Sequence, residues 1–422
     1  MPEPTSGGKR PSRFPLHLQI ILAMALGLLL GPWLGRQAFG LGEIGKLVIS
    51  MIKGAATPLL FFAIVSAILK TEVRGRSALR LAFWAMLNAS LALVIGLGIS
   101  NLLKPGRTLL HIAGDPAAVT AYADKKVDIV GTLSGFVPTN LVTPFAENLV
   151  LPVILIAVLL GFALRRARRE QRAAGSQASR VIEDAVETML RVMELVLTWV
   201  IKLIPFVVFG VVAKAVAEHG YAPLKGLLTY VLVGVAGLAL HVLVTYHCLL
   251  KLVARMSLRT FWREAKEPVA YAAGANSSLA TLPLTLRALD RLGVSRSSSV
   301  LGAGVGTNFN NDGIILYEGM AVLFVAQAMG IDLTLGQQLT AAAVCLVAAM
   351  GVAGVPEAGF VSLALVLNTI GLSLEVLPLL LTVDWIIARG RSMTNVLSDM
   401  VLSILIDRGR TNSPELSATA TS

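Results

Sequence analysis

LGQQLTAAAVCLVAAMGVAGVPEAGFVSLALVLNTIGL, residues 335–372, decides the fold. It is apolar at both ends and broken in the middle at GVAGVPEAG, Gly351 to Gly359. Each flank keeps only about 13–15 apolar residues, short of the roughly 20 that a helix needs to cross a bilayer. Glycine-rich backbone with a proline leaves amides unsatisfied, so it is buried in protein or lines a cavity and does not face lipid. The stretch reads as a re-entrant hairpin. A second broken stretch, 260–292, repeats the idea: NSSLATLP, Asn276 to Pro283, interrupts it with hydroxyls and a proline. Two interrupted segments, each followed by a full span, fit an inverted-repeat carrier with its site near the bilayer midplane. Half-helix N-termini and free amides at such tips suit anionic ligands.

Composition places these hairpins in a membrane. Of 422 residues, 55% are hydrophobic and only 14% charged, against about 25% charged in a soluble domain. Apolar runs near 16–35, 45–69, 81–103, 127–164, 186–217, 224–253, 298–329 and 376–405 give eight expected spans. The net charge of +11 sits in loops between apolar runs, which argues against nucleic-acid binding. Lys9, Arg10 and Arg13 precede the first run, and Lys70, Arg74, Arg76 and Arg80 separate the second from the third. Arg165, Arg166, Arg168, Arg169 and Arg172 follow the fourth run, and Lys251, Arg255, Arg259, Arg263 and Lys266 the sixth. Alternate loops are poorer in cations, so both termini are expected in the cytoplasm of a multi-pass protein of the cell (inner or plasma) membrane. Residues 1–15 read as a cytoplasmic tail, 16–408 as the membrane domain and 409–422 as a disordered C-terminal tail. Cys248 and Cys345 make no disulfide framework or metal spacing, and His17, His111, His219, His241 and His247 form no metal-binding pair. No nucleophile elbow or phosphate loop is present, so an enzyme has no support. GLLLG, Gly27 to Gly31, reads as tight helix packing.

Two spans carry polar chemistry. The seventh contains GTNFNNDGIILYEG, Gly306 to Gly319. Apart from Phe309, every residue from Thr307 to Asp312 is acidic or hydrogen-bonding. An aspartate within a span costs about 2.5–3.5 kcal/mol on insertion scales. The cluster suggests oxygen ligands for a hard cation, and Glu318, six residues on, is placed to carry a proton. Glycines 302, 304 and 306 do not make a dinucleotide fingerprint.

The eighth span holds Asp384, Ala388, Arg391, Asn395 and Asp399. At about 100° per residue these five fall within roughly 80° of one another, with Arg389 about 160° from Arg391. A polar stripe on an apolar helix faces the protein interior. Arg391 needs a carboxylate partner, since a guanidinium fork takes a carboxylate through two hydrogen bonds. Asp384, Glu318 or a substrate carboxylate can fill that place, and the chemistry favours the substrate.

The combined order of motifs resembles the dicarboxylate/amino acid:cation symporter family, which includes the glutamate transporters. The likeness runs from about Met51 to Asp399. MIKGAATPLLFFAIVSAI (51–68) resembles the family's second helix and VPTNLVTPFAENLVLPVILIAVLLGFAL (137–164) its fourth. NSSLATLPLTLRAL resembles the serine-rich first hairpin, and GVAGVPEAG the tip of the second. NNDGI (310–314) sits where the family has Asn-Met-Asp-Gly-Thr, and VDWIIARGRSMTNVLSD (383–399) resembles the eighth helix.

The resemblance implies an all-α polytopic protein of eight transmembrane helices and two re-entrant hairpins, built as inverted repeats and working as an elevator. It implies a homotrimer in lipid, with a scaffold of spans one, two, four and five. The mobile transport domain would be about 81–104 and 224–408. Ser277 and Ser278, with backbone at Ala353, Gly354, Val355 and Pro356, would hold a substrate carboxylate. Arg391 would take the second carboxylate, Asn395 would add a hydrogen bond, and Ala388 would line the substrate site. Gly306, Asn310, Asn311, Asp312, Asn395 and Asp399 would serve the cations. Glu318 matches a glutamate of proton-coupled members. No covalent cofactor is implied, only Na+ and/or H+ as coupling ions.

The departures point to the substrate. Acidic amino-acid carriers of this family place an aspartate at Ala388 to receive the substrate's ammonium. Without it an ammonium would be buried unpaired, whereas a dicarboxylate would suffer nothing. The motif's threonine is Ile314 and its methionine Asn311. In span three Ala85, Asn88 and Ala89 replace a tyrosine and a hydroxyl pair of sodium-coupled members, which weakens one sodium site. The sequence thus predicts uptake of a small anionic dicarboxylate such as succinate, fumarate or malate. An acidic amino-acid symporter and an uncoupled substrate-gated anion conductance are the alternatives.

Overall fold

The structure is a computed structural model that describes residues 15–70, 76–109, 137–138, 140–174, 178–308, 310–350 and 358–411. Among these residues every regular element is helical. The N-terminal half contains α1 (Leu16–Leu34), α2 (Gln37–Lys70), α3 (Arg76–Leu103), α4 (Val150–Ala173), α5 (Ala178–Ile201) and α6 (Ile204–His219). The second half opens with α7 (Ala222–Leu240), which continues through wide π-type turns at His241–Tyr246 and Leu249–Val253. Then come α8 (Leu258–Ala275), α9 (Ser278–Arg291), the short α10 (Arg296–Ser299), α11 (Asp312–Ala328), α12 (Leu335–Met350), α13 (Ala358–Ile370) and α14 (Leu377–Thr411).

Among the described residues three helices are long and apolar enough to cross a membrane alone: Gln37–Lys70, Leu79–Leu103 and Ala222–Val253. A fourth is the pair Arg180–Ile201 and Ile204–His219, bent by 41°, where Pro205 opens the second helix. Eight spans were expected from the apolar runs. Of the other expected spans, several fall outside a test of length and apolarity because of their chemistry. The C-terminal half of α4 is arginine-rich from Arg165 to Arg172, the seventh run is interrupted before Asp312, and α14 carries Asp384, Arg389, Arg391 and Asp399. Part of the fourth run, 127–136, lies outside the described residues, as do the tails 1–14 and 412–422. Residues 409–411 of the expected disordered tail belong to α14, which runs to Thr411, and the remainder lies outside the described residues.

Both broken segments are helical pairs whose arms pack on each other, α8 on α9 and α12 on α13. The first break is local backbone chemistry. Asn276 ends α8 in the left-handed region at φ 51°, and Ser277 turns extended to cap α9, its Oγ accepting from the Ala280 amide at 3.1 Å. The tip of the second pair, including Ala353, Gly354, Val355 and Pro356, lies outside the described residues.

Packing sorts the helices. α1 lies along α6, α6 along α2, and α2 along α4 and α5. Gly31 permits the first contact: a Cβ there would stand 2.8 Å from the Ala213 carbonyl oxygen. Around α11 gather α3, α14, α12, α13 and α7. All 17 residues of α11 are buried, so a helix with Asp312 and Glu318 on it has no face toward lipid.

Candidate functional site

The polar stripe of α14 is buried along its length: Asp384, Ala388, Arg391, Asn395 and Asp399 are each 4% exposed or less. Arg389, on the other side, stays half-buried and donates to the Trp385 carbonyl.

At the upper end of the stripe, Arg391 meets Asp384 fork to fork, Nη1 to Oδ1 at 2.7 Å and Nη2 to Oδ2 at 2.9 Å. The seven-residue spacing is two helical turns, which puts both groups on one face. The guanidinium lies over the Tyr317 ring, 4.1 Å from its centroid. The sequence offered Asp384, Glu318 or a substrate carboxylate as its partner, and the structure pairs it with Asp384. Ser392 donates to the Asn276 side chain at 3.2 Å, so the first hairpin's tip touches α14 beside Arg391. Ser277 and Ser278 follow at that tip, half-buried.

One turn deeper, α11 is pinned to α14. The Gly313 amide donates to Asn395 Oδ1 at 2.8 Å. A Cβ on Gly313 would lie 2.6 Å from the Arg391 carbonyl oxygen, so only glycine allows this approach. Asn311 donates to the Ala349 carbonyl at 3.0 Å, tying α12 to the break before α11. Ile314 is buried.

Below this lies a knot of oxygens. Asn310 donates to Ser398 at 2.6 Å, and Ser398 donates to Asp312 Oδ2 at 2.6 Å. The Tyr246 hydroxyl stands 3.0 Å from the same Oδ2 and 3.3 Å from the Thr394 carbonyl, and His241 Nε2 stands 3.4 Å from Oδ2. One Asp312 oxygen thus gathers three neighbours while Oδ1 has none. Asn310 Oδ1 and Asp399 Oδ1 are also buried without a hydrogen bond, and Thr307 and Asn310 flank Asp399. The Gly306 carbonyl accepts from the Asn310 amide at 2.8 Å. Among the described residues neither Asp312 nor Asp399 pairs with a lysine or arginine. Buried carboxylates with bare oxygens ask for a cation or a proton. Asn88, on α3 against α11, is fully buried with both amide atoms unpaired. Ala85 and Ala89 line the same helix, buried.

Glu318 sits one turn beyond Ile314 on α11, fully buried. Neither carboxylate oxygen makes a hydrogen bond of good geometry, and Cys345 of α12 and Ser362 of α13 lie beside it. The arms of the second hairpin therefore close around this group.

Sequence reasoning did not single out Tyr317, Tyr246, His241, Tyr230 or Ser398. His241 and Tyr246 are polar groups inside an apolar run, a signal that was available. Ser398 lies one turn from Asn395 on the same stripe. Tyr230 and Tyr317 look like ordinary core aromatics until Arg391 is placed beside them.

A family model described as the sodium:dicarboxylate symporter family matches residues 16–409. The chain is 31% identical to a C4-dicarboxylate transport protein of Rhodopseudomonas palustris, across 96% of this chain and 91% of that one. It is 33% identical to one of Deinococcus deserti, across 93% and 88%, and 29% identical to one of Bacillus subtilis, across 93% and 92%.

Proposed function

Because the chain belongs to the sodium:dicarboxylate symporter family, a family of membrane transporters and not enzymes, we propose that it is a secondary active carrier that takes up a small C4-dicarboxylate. The observation that carries the substrate reading is on α14: Arg391 is buried with Ala388 three residues before it, also buried, where an ammonium-binding carboxylate would stand. Among the described residues, α14 offers a guanidinium for a carboxylate, and Ala388 supplies no carboxylate for an amine. The three relatives named C4-dicarboxylate transport proteins support the same class.

Uptake is driven by Na+ and/or H+. The bare oxygens of Asn310, Asp312 and Asp399 would receive the cation, with Gly306, Asn311 and Asn395 around them. Glu318 would carry the proton. Ser277 and Ser278, with the backbone of Ala353, Gly354, Val355 and Pro356, would hold the substrate's other carboxylate. The packing of α1, α2, α4, α5 and α6 among themselves, and of α3 with the second half, supports a scaffold and a mobile transport domain. In this reading the protein is an elevator, a homotrimer in the plasma membrane with eight spans and both termini cytoplasmic.

The test is uptake into proteoliposomes of labelled succinate and labelled L-aspartate, each under an inward Na+ gradient, an inward H+ gradient or neither. Succinate accumulation under one gradient supports the reading and names the ion. Accumulation of aspartate alone overturns the substrate, and failure of both overturns coupled uptake.

A further inference from the structure

The second hairpin encloses Glu318 from both of its arms. Cys345 of α12 and Ser362 of α13 are 0% exposed, as is Glu318 itself on α11, and the three helices pack on one another. The thiol and the hydroxyl are both set against the carboxyl as hydrogen-bond partners. The contacts are loose, since neither Glu318 oxygen nor the Ser362 hydroxyl reaches strict hydrogen-bond geometry. The other elements around this turn of α11 bring little polarity. α3 meets Gly319 with Leu93 and Leu97, and α7 meets Met320 through Gly234. Arg391 of α14 is the charged group within electrostatic range, and it is paired with Asp384. Gly359, one turn before Ser362, brings α13 against that guanidinium: a Cβ there would lie 2.7 Å from its central carbon.

A carboxyl that carries a proton must exist in two forms. The neutral form is tolerated in such surroundings. The ionised form, left when the proton departs, is costly unless donors receive it. A hydroxyl and a thiol can both donate, and hydrogen bonds to an ionised oxygen are about twice as strong as those to a neutral one. Cys345 and Ser362 come from opposite arms, so both reach Glu318 only while the hairpin is closed on α11.

We propose that Cys345 and Ser362 are positioning residues for proton release: together they receive the Glu318 carboxylate once its proton has left, and so allow the empty carrier to return with the hairpin closed. The proton passes from the carboxyl to water on the cytoplasmic side, and the electron pair of the broken O–H bond stays on Glu318. This rests on the reading of Glu318 as the proton carrier.

Two activities are measured in proteoliposomes: succinate uptake under an inward H+ gradient, and succinate counterflow at a series of equal inner and outer pH values. The proteins are wild type, Glu318→Gln, Ser362→Ala, Cys345→Ala and the donor-keeping Cys345→Ser. Counterflow needs the neutral Glu318, so in wild type it should fade as pH rises, and Glu318→Gln should lack that decline. Removing a donor disfavours the ionised form. In Ser362→Ala the decline should therefore move upward by about one pH unit, the tenfold effect of one hydrogen bond to a charged group. Cys345→Ala should move it the same way by less, because a thiol is a weak donor, and Cys345→Ser should not move it upward. Accumulation under the gradient should fall severalfold in Ser362→Ala, while counterflow at low pH persists. A decline that stays at the wild-type pH in both alanine variants overturns the role of the two residues. Equal loss of gradient-driven uptake and of low-pH counterflow does so too, since it marks a merely structural residue. Wild type without the decline, or Glu318→Gln that still accumulates succinate under the gradient, overturns the proton reading itself.

Discussion

Arg391 and Asp384 hold each other on one face of α14, two turns apart, through paired hydrogen bonds of 2.7 and 2.9 Å. Asp384 takes two of the five N–H donors of the guanidinium, and both groups are buried. Removing one partner of a buried pair costs about 3–5 kcal/mol. Asp384→Asn should therefore lower stability by about that amount without substrate, and by less with saturating succinate, which supplies the missing carboxylate. Unfolding curves with and without succinate check this. An equal loss in both conditions would place the substrate elsewhere than on Arg391.

Gly313 sets how closely α11 approaches α14. A Cβ there would meet the Arg391 carbonyl oxygen at 2.6 Å and Asn395 Oδ1 at 3.0 Å. The neighbour is backbone, which cannot swing away. Gly313→Ala should cost about 1–3 kcal/mol by overpacking and reduce uptake. Gly304→Ala is the control, because its nearest neighbour would be an ordinary 3.7 Å from the new carbon. Paired melting temperatures check the contrast.

The large features of this fold were legible because lipid forbids unsatisfied backbone. Asn276, Ser277 and Ser278 mark the first break, while Pro283, expected to share it, lies inside α9; Pro356 lies outside the described residues. The α14 stripe was legible because helical periodicity places Asp384, Arg391, Asn395 and Asp399 together, and all four are buried. What was not legible was contact between segments distant in the chain. Tyr246 reaches Asp312 across 66 residues, and Asn310 reaches Ser398 across 88. No local pattern encodes such pairings. Asp384 was one of the partners for Arg391 that the seven-residue spacing on α14 allowed.

Ala388 should decide between dicarboxylate and acidic amino acid. It is 3% exposed, one turn from Asp384 and three residues before Arg391. Ala388→Asp places a carboxylate where an ammonium would sit. It should improve aspartate binding and weaken succinate, because a fixed negative charge attracts an ammonium and repels a second anion. Competition of each ligand against labelled succinate measures both. No gain of aspartate affinity would remove residue 388 from the substrate site.

Glu318 offers a separate test of what drives uptake. It is fully buried on α11, without a hydrogen bond of good geometry to either oxygen, between Cys345 and Ser362 on the two arms of the second hairpin. A carboxylate moved through such surroundings travels more easily neutral than charged. Glu318→Gln fixes the neutral shape permanently and has no proton to release. Under an inward H+ gradient this variant should lose concentrative succinate uptake. It should still exchange labelled for unlabelled succinate, since substrate-loaded movement needs only the neutral form. Proteoliposome uptake with and without the gradient, beside counterflow with succinate inside, separates the two activities. Retained H+-driven accumulation would take the proton away from Glu318, and loss of exchange as well would make the residue structural.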